Sequence, residues 1–104
     1  MIKLSKVFLD DIRLAPEGWV RVFWPEEAIA HLETGQVTHL SLDHDLGDDA
    51  RGTGYDVLLW IEQAVAVDGF NPPEIIIHSA NPAARIRMVA AITSIRSLVN
   101  RREN

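Results

Sequence analysis

Residues 41–49, SLDHDLGDD, place four aspartates and a histidine in nine positions, directly after an apolar run. Carboxylates crowded in this way repel one another and resist ionisation unless a cation or a basic group sits between them. Two more polar clusters follow apolar runs. Asp10 and Asp11 come after Val7, Phe8 and Leu9; His78, Ser79 and Asn81 come after three isoleucines. Oxygen ligands of this kind suit Mg²⁺ or another hard divalent cation, which keeps several waters and readily takes a phosphate oxygen. Imidazole exchanges protons near neutral pH, so His44 and His78 could between them deprotonate a water and protonate a departing alkoxide. The chemistry suggested is metal-assisted cleavage of a phosphate ester. The plainer alternative is a set of solvated turns, which leaves three acids at the ends of buried strands with no partner to offset their desolvation.

The elements that must position these groups can be read from pattern. KVFLDD is a short apolar run ending in acid, a buried strand. IRLAPEG follows as a loop, with Pro16 and Gly18 as turn signals. WVRVFW, rich in β-branched and aromatic residues, reads as a second strand. Pro25 opens a helix whose first turn is acidic and which closes at Gly35. VTHLSLDHDL is a third strand running into the acidic loop, which Gly47, Gly52 and Gly54 mark. From Tyr55 the period becomes helical, with Val57, Leu58, Ile61 and Val65 on one face, until DGFNPP breaks it. EIIIHSA is a fourth strand. The closing helix has Asn81 as N-cap before Pro82, and an inward stripe of Met88, Ile92, Ile95 and Val99. Strands alternating with helices predict a parallel sheet with helices on both faces, in which ligands lie beyond the carboxyl ends of the strands. The three polar clusters fall at those ends.

The motifs carry a resemblance. FLDD after strand one, an aspartate ending strand three and the small SA pair ending strand four are similar to a response-regulator receiver domain. More closely, FLDD, SLDHDLG, GYDVLLWIE and IHSANP, spread in order over residues 7–88, resemble the cyclic-phosphate-processing receiver domains. The resemblance implies a truncated receiver-like, flavodoxin-like α/β fold over residues 1–104: a three-layer sandwich with a mainly parallel four-stranded sheet in the order 2-1-3-4. It also implies that Asp10 and Asp11 are the metal-binding acidic pair, that Asp43 is the position phosphorylated in receivers, and that Ser79 is the hydroxyl residue that contacts the phosphoryl group. Two departures stand out. Both lysines, Lys3 and Lys6, are early, so the late lysine of receivers has no counterpart here; and IRLAPEG replaces the helix between the first two strands. His44 and His78 are additions to the ordinary receiver pattern.

Two functional readings follow. In the first, Asp10, Asp11 and Asp43 hold a divalent cation, and His44 and His78 share the acid and base roles in hydrolysing a cyclic phosphate, such as a nucleoside 2′,3′-cyclic phosphate or an RNA end. Ser79, Arg13 and Arg85 then contact the phosphate. In the second, the chain is a receiver-like signalling or interaction module, phosphorylated on Asp43 or binding a partner through its strand ends. Asp45 serves as a further ligand or orients a histidine, while Asp48 and Asp49 read as a solvated loop. Trp60, at helical spacing, reads as core.

Composition bounds the remainder. The chain has 104 residues, 47% of them hydrophobic, enough for one packed domain. It has no cysteine, which excludes disulfides and thiolate metal sites. No apolar run approaches the roughly 20 residues needed to span a membrane. A cytoplasmic protein with no membrane partner is expected. The net charge of -5 argues against broad nucleic-acid binding, although Arg85, Arg87, Arg96, Arg101 and Arg102 cluster at the end of the chain.

Overall fold

The computed structural model describes residues 3–47 and 49–103, with Asp49 and Glu103 described at the backbone only. Asp48 and the side chain of Asp49 therefore lie outside the described residues. The elements run β1 (Ser5–Leu9), β2 (Val20–Val22), α1 (Pro25–Glu33), β3 (Val37–Leu42), α2 (Gly54–Asp68), β4 (Glu74–Ile77) and α3 (Pro82–Glu103), with a turn of 3-10 helix at Asp49–Arg51. The strands form one parallel sheet in the order β2-β1-β3-β4, the expected receiver-like arrangement.

Local chemistry sets the helix ends. Ahead of α1, the Glu27 carboxylate accepts the main-chain N–H groups of Phe23 and Trp24 at 3.2 and 3.1 Å, using donors the helix itself leaves unpaired. Ahead of α2, Thr53 N–H donates to Asp56 Oδ2 at 2.7 Å. That helix stops at Gly69, whose φ of 68° lies in the left-handed region that glycine adopts without strain. Asn81 Oδ1 accepts the N–H of Ala84 at 3.1 Å, the N-cap expected before Pro82.

The helices, expected on both faces of the sheet, all lie on one. The chain steps one way from β1 to β2 and the opposite way from β2 to β3 to β4. Right-handed crossovers place connections of opposite direction on opposite faces. The two reverse steps carry α1 and α2, and α3 then packs beside α2 and β4. The β1–β2 connection is a loop without a helix, so the second face receives only that loop. The helix-covered face supplies Val7, Leu9, Val22, Leu40 and Leu42, which pack with Leu32, Leu58, Ile61, Met88 and Ile95 into the core. Met88, Ile92 and Ile95 are buried, as the inward stripe of the closing helix predicts. Trp60 packs against the same core, edge-on to Phe70 at 5.4 Å.

The second face is built differently. The strand register aligns Arg21, Phe8, Ser41 and Ile76 across the sheet, one residue out of phase with the core row Val22, Leu9, Leu42 and Ile77. Trp19, at the end of the loop, lies edge-on to Phe8 at 6.4 Å and to His39 at 6.2 Å, and Lys6 Nζ sits 5.8 Å from its centroid.

Candidate functional site at the strand ends

Asp10, Asp43 and His78 meet where β1, β3 and β4 end. Each offers one ligand atom, and these atoms all lie within 4.8 Å of one another. Three strands far apart in sequence are adjacent in the sheet, so parallel pairing alone gathers their C-terminal ends.

Asp10 is 1% exposed. Burial is the largest influence on its carboxyl and would raise its pKa. The amides of Arg13 and Ile12, the His78 ring bond and the His78 charge together outweigh burial and hold it below the ordinary value. Both amides donate to Oδ1 at 2.8 Å. His78 Nε2 meets Oδ2 at 3.0 Å. An ionised carboxylate only accepts, so the proton in that contact belongs to Nε2. Ser41 Oγ lies 2.7 Å from the other ring nitrogen, Nδ1, and in the neutral ring the hydroxyl donates to it. The imidazole also stacks on Phe8, with centroids 4.3 Å apart and planes at 3°. His78 is thus held through both ring nitrogens and one ring face, by Asp10, Ser41 and Phe8.

Asp43 behaves in the opposite way. Burial raises its pKa most; the His44 amide lowers it; the neighbouring Asp10 charge raises it again, against smaller opposing effects of His78 and Arg13; and the net value is raised. The two acids of one site are therefore shifted in opposite directions, Asp10 downward by its amide and imidazole partners and Asp43 upward chiefly by burial. Asp11, expected as the second member of a metal-binding pair, is not one of this group; its Oδ1 is buried and has no hydrogen-bond partner among the described residues. A Cβ placed on Gly47, whose φ is 88°, would stand 3.1 Å from Asp11 Oδ2. A Cβ on Gly54 would collide with the main-chain oxygen of Asp43, so only glycine lets the start of α2 approach the site this closely. The Gly54 amide donates to the His44 carbonyl at 3.2 Å and pins the loop there.

The other expected residues are distributed unevenly. Arg13 joins the site, its guanidinium donating to the His78 carbonyl at 2.9 Å. Arg85 is drawn to β4, donating to the Ile77 carbonyl at 2.9 Å. Ser79 is buried, and its hydroxyl oxygen accepts the Asn81 amide at 3.1 Å, closing the turn into α3. His44 Nδ1 pairs with Asp45 Oδ1 at 2.8 Å, which lowers the Asp45 pKa, and Asn81 Nδ2 approaches the other oxygen of Asp45 at 3.5 Å. His44 is therefore oriented by a carboxylate through Nδ1. Two participants escaped sequence reading. Ser41 buttresses His78, and Arg21 Nε donates to the Asp10 carbonyl at 3.2 Å. The available signal for Ser41 was its place two residues before Asp43, on the same strand face.

With this geometry in view, comparison with known proteins is decisive for family. The model of the cyclic-phosphate processing receiver domain matches residues 5–94. The chain belongs to that family. No curated protein and no solved structure matches it. In this cyclic-phosphate processing receiver domain, the matched segment spans all four strands and the whole Asp10–Asp43–His78 group. Among the described residues no helix is long and apolar enough to cross a membrane.

Proposed function

We propose that the protein hydrolyses cyclic phosphates with the help of a divalent cation held at the strand ends, acting on a nucleoside 2′,3′-cyclic phosphate or an RNA end. The observation that carries this reading is the convergence of Asp10, Asp43 and His78 at the strand ends, with ligand atoms within 4.8 Å of one another. Two carboxylates gathered this closely at buried strand ends, and in the next residue a buried Asp11 Oδ1 with no hydrogen-bond partner among the described residues, are costly unless a cation offsets them. Asp10 and Asp43 fit Mg²⁺ or Mn²⁺ as oxygen donors, and Asp11, the next residue after Asp10, would add a further carboxylate through water. When bound, such an ion offsets charge developing on a phosphate oxygen.

The chain's own residues supply the rest. Arg13, tethered to the His78 carbonyl, places a cation beside Asp43, where an anionic phosphate needs one. His44, oriented by Asp45, accepts a proton from water at Nε2. The water oxygen bonds to phosphorus, one ester P–O bond breaks, and the departing alkoxide takes a proton from the imidazolium, leaving a phosphate monoester. His78, with both ring nitrogens engaged, positions Asp10 instead of exchanging protons.

The test is incubation of purified protein and Mg²⁺ or Mn²⁺ with a panel of cyclic nucleotides and cyclic-phosphate RNA ends. Ring opening is expected, and His44→Ala should slow it by about 10²–10⁴-fold. Absence of turnover with every divalent ion across the panel refutes the reading. A metal titration followed by thermal unfolding should raise the melting point of the wild type and leave that of Asp43→Asn unmoved.

A further inference from the structure

Strand β4 is an edge of the sheet: among the described residues no strand lies beyond it. The His78 amide donates to the Leu42 carbonyl at 3.0 Å, which sets the alternation along β4. Glu74, Ile76 and His78 turn their main-chain groups toward β3, so Ile75 and Ile77 turn theirs outward. Arg85 covers the Ile77 carbonyl at 2.9 Å. The Ile75 N–H and C=O and the Ile77 N–H have no hydrogen-bond partner among the described residues and face away from the sheet.

Beside this edge a trough runs between β4 and α3. Two adjoining cavities of about 300 and 210 Å³ form it, and they share Ile75, Ile92 and Arg96 as lining. Val89, at its upper end, is 48% exposed and the nearby Ile86 71% exposed, a great deal of apolar surface to leave in water. Charge on this side is mainly positive, with Glu74 the one acid lining the trough among the described residues. Arg85 and Arg96 line the trough, and α3 carries five arginines against one acid in a chain of net charge -5. A second copy seated edge to edge would bring two such arginine-rich helices together. An acidic chain is matched to them.

We propose that the β4–α3 trough takes up an extended segment of a partner protein, whose every second residue, apolar or acidic, turns toward α3, as an added fifth strand. Main-chain groups of the segment pair with Ile75 and Ile77. Its apolar side chains enter the trough, and its carboxylates reach Arg85 and Arg96. This surface lies apart from the strand-end site, so the inference stands whether or not the protein cleaves cyclic phosphates.

The experiment pans a displayed library of random dodecapeptides on the full chain, then measures synthetic winners by fluorescence anisotropy and by amide hydrogen exchange. Enriched peptides should carry apolar and acidic residues together at every second position, and protect the Ile75 and Ile77 amides. Arg96→Glu and Val89→Asp, both at exposed positions, should each weaken binding on the order of tenfold, with the arginine variant also flattening the salt dependence. The proposal is overturned by no enrichment, by winners that are basic or helical in period, or by affinity indifferent to both substitutions. A dimer in sedimentation that protects the same two amides would assign the edge to a second copy, and displacement of the peptide by single-stranded RNA would assign the arginines to nucleic acid; either result also overturns it.

Discussion

The two faces of the sheet use one set of strands for different ends. Toward the helices the strands present Val7, Leu9, Leu40 and Leu42, all fully buried, in a continuous apolar layer. Toward the β1–β2 loop they present Lys6, Phe8, His39 and Ser41, and His78 extends that row to the site. Because strand side chains alternate, adjacent residues on one strand serve different tasks: Leu42 secures the core, while Ser41 and Asp43 on either side of it serve the strand-end cluster. A chain this short has no spare layer in which to isolate a polar site. It hangs the site on the face that lacks helices and lets the other face carry stability.

Substitutions can break or sharpen that division. Leu42→Ala, on the helix side, should cost about 2–5 kcal/mol in urea unfolding. Any cation-induced rise in melting temperature should survive it; loss of that rise would mean the faces are not separable. Gly54→Ala joins the two tasks, since its new methyl group meets the Asp43 carbonyl. It should destabilise by about 1–3 kcal/mol or more and weaken cation binding measured by calorimetry. Ser41→Ala, on the loop side, leaves a ring nitrogen of His78 without its partner and should cost about 1–3 kcal/mol at most. Its larger effect is expected on cation affinity, through a less firmly held Asp10.

The smallest effects are in pH dependence, where the two acids should differ in sign. The Asp10 pKa is lowered in the fold, so its ionised form contributes stability above the ordinary aspartate value of about 3.9, and that stability is lost as pH falls through the lowered value. The Asp43 pKa is raised, so its proton is held more tightly folded than unfolded, and stability is lost as pH climbs through the raised value. In chelator at neutral pH, Asp10→Asn should therefore lower the melting temperature and Asp43→Asn should raise it. Both differences should shrink in acid. Shifts of the same sign would contradict the opposed environments of the two carboxyls.

Much of this was legible in the sequence. Apolar period and turn residues located all seven strands and helices, because Pro25, Gly69, Asn81 and Pro82 act through local backbone chemistry. The convergence of Asp10, Asp43 and His78 followed from placing polar clusters at the ends of parallel strands. The grouping of all helices on one face was latent in IRLAPEG, where a helix is absent, but emerges only when strand order and handedness are combined. The bond from Ser41 to His78 depends on cross-strand register, to which no single segment testifies. Nor does spacing reveal that His44 turns to Asp45 while His78 turns to Asp10, since adjacent or distant carboxylates compete on geometry alone.

The contact between His78 Nε2 and Asp10 has a practical consequence. A ring proton held between an imidazole stacked on Phe8 and a buried carboxylate should exchange slowly with solvent and resonate downfield of the amide envelope. Proton spectra of the unlabelled protein should show it as an isolated signal. Its movement on adding an ion or a nucleotide would make the molecule its own indicator.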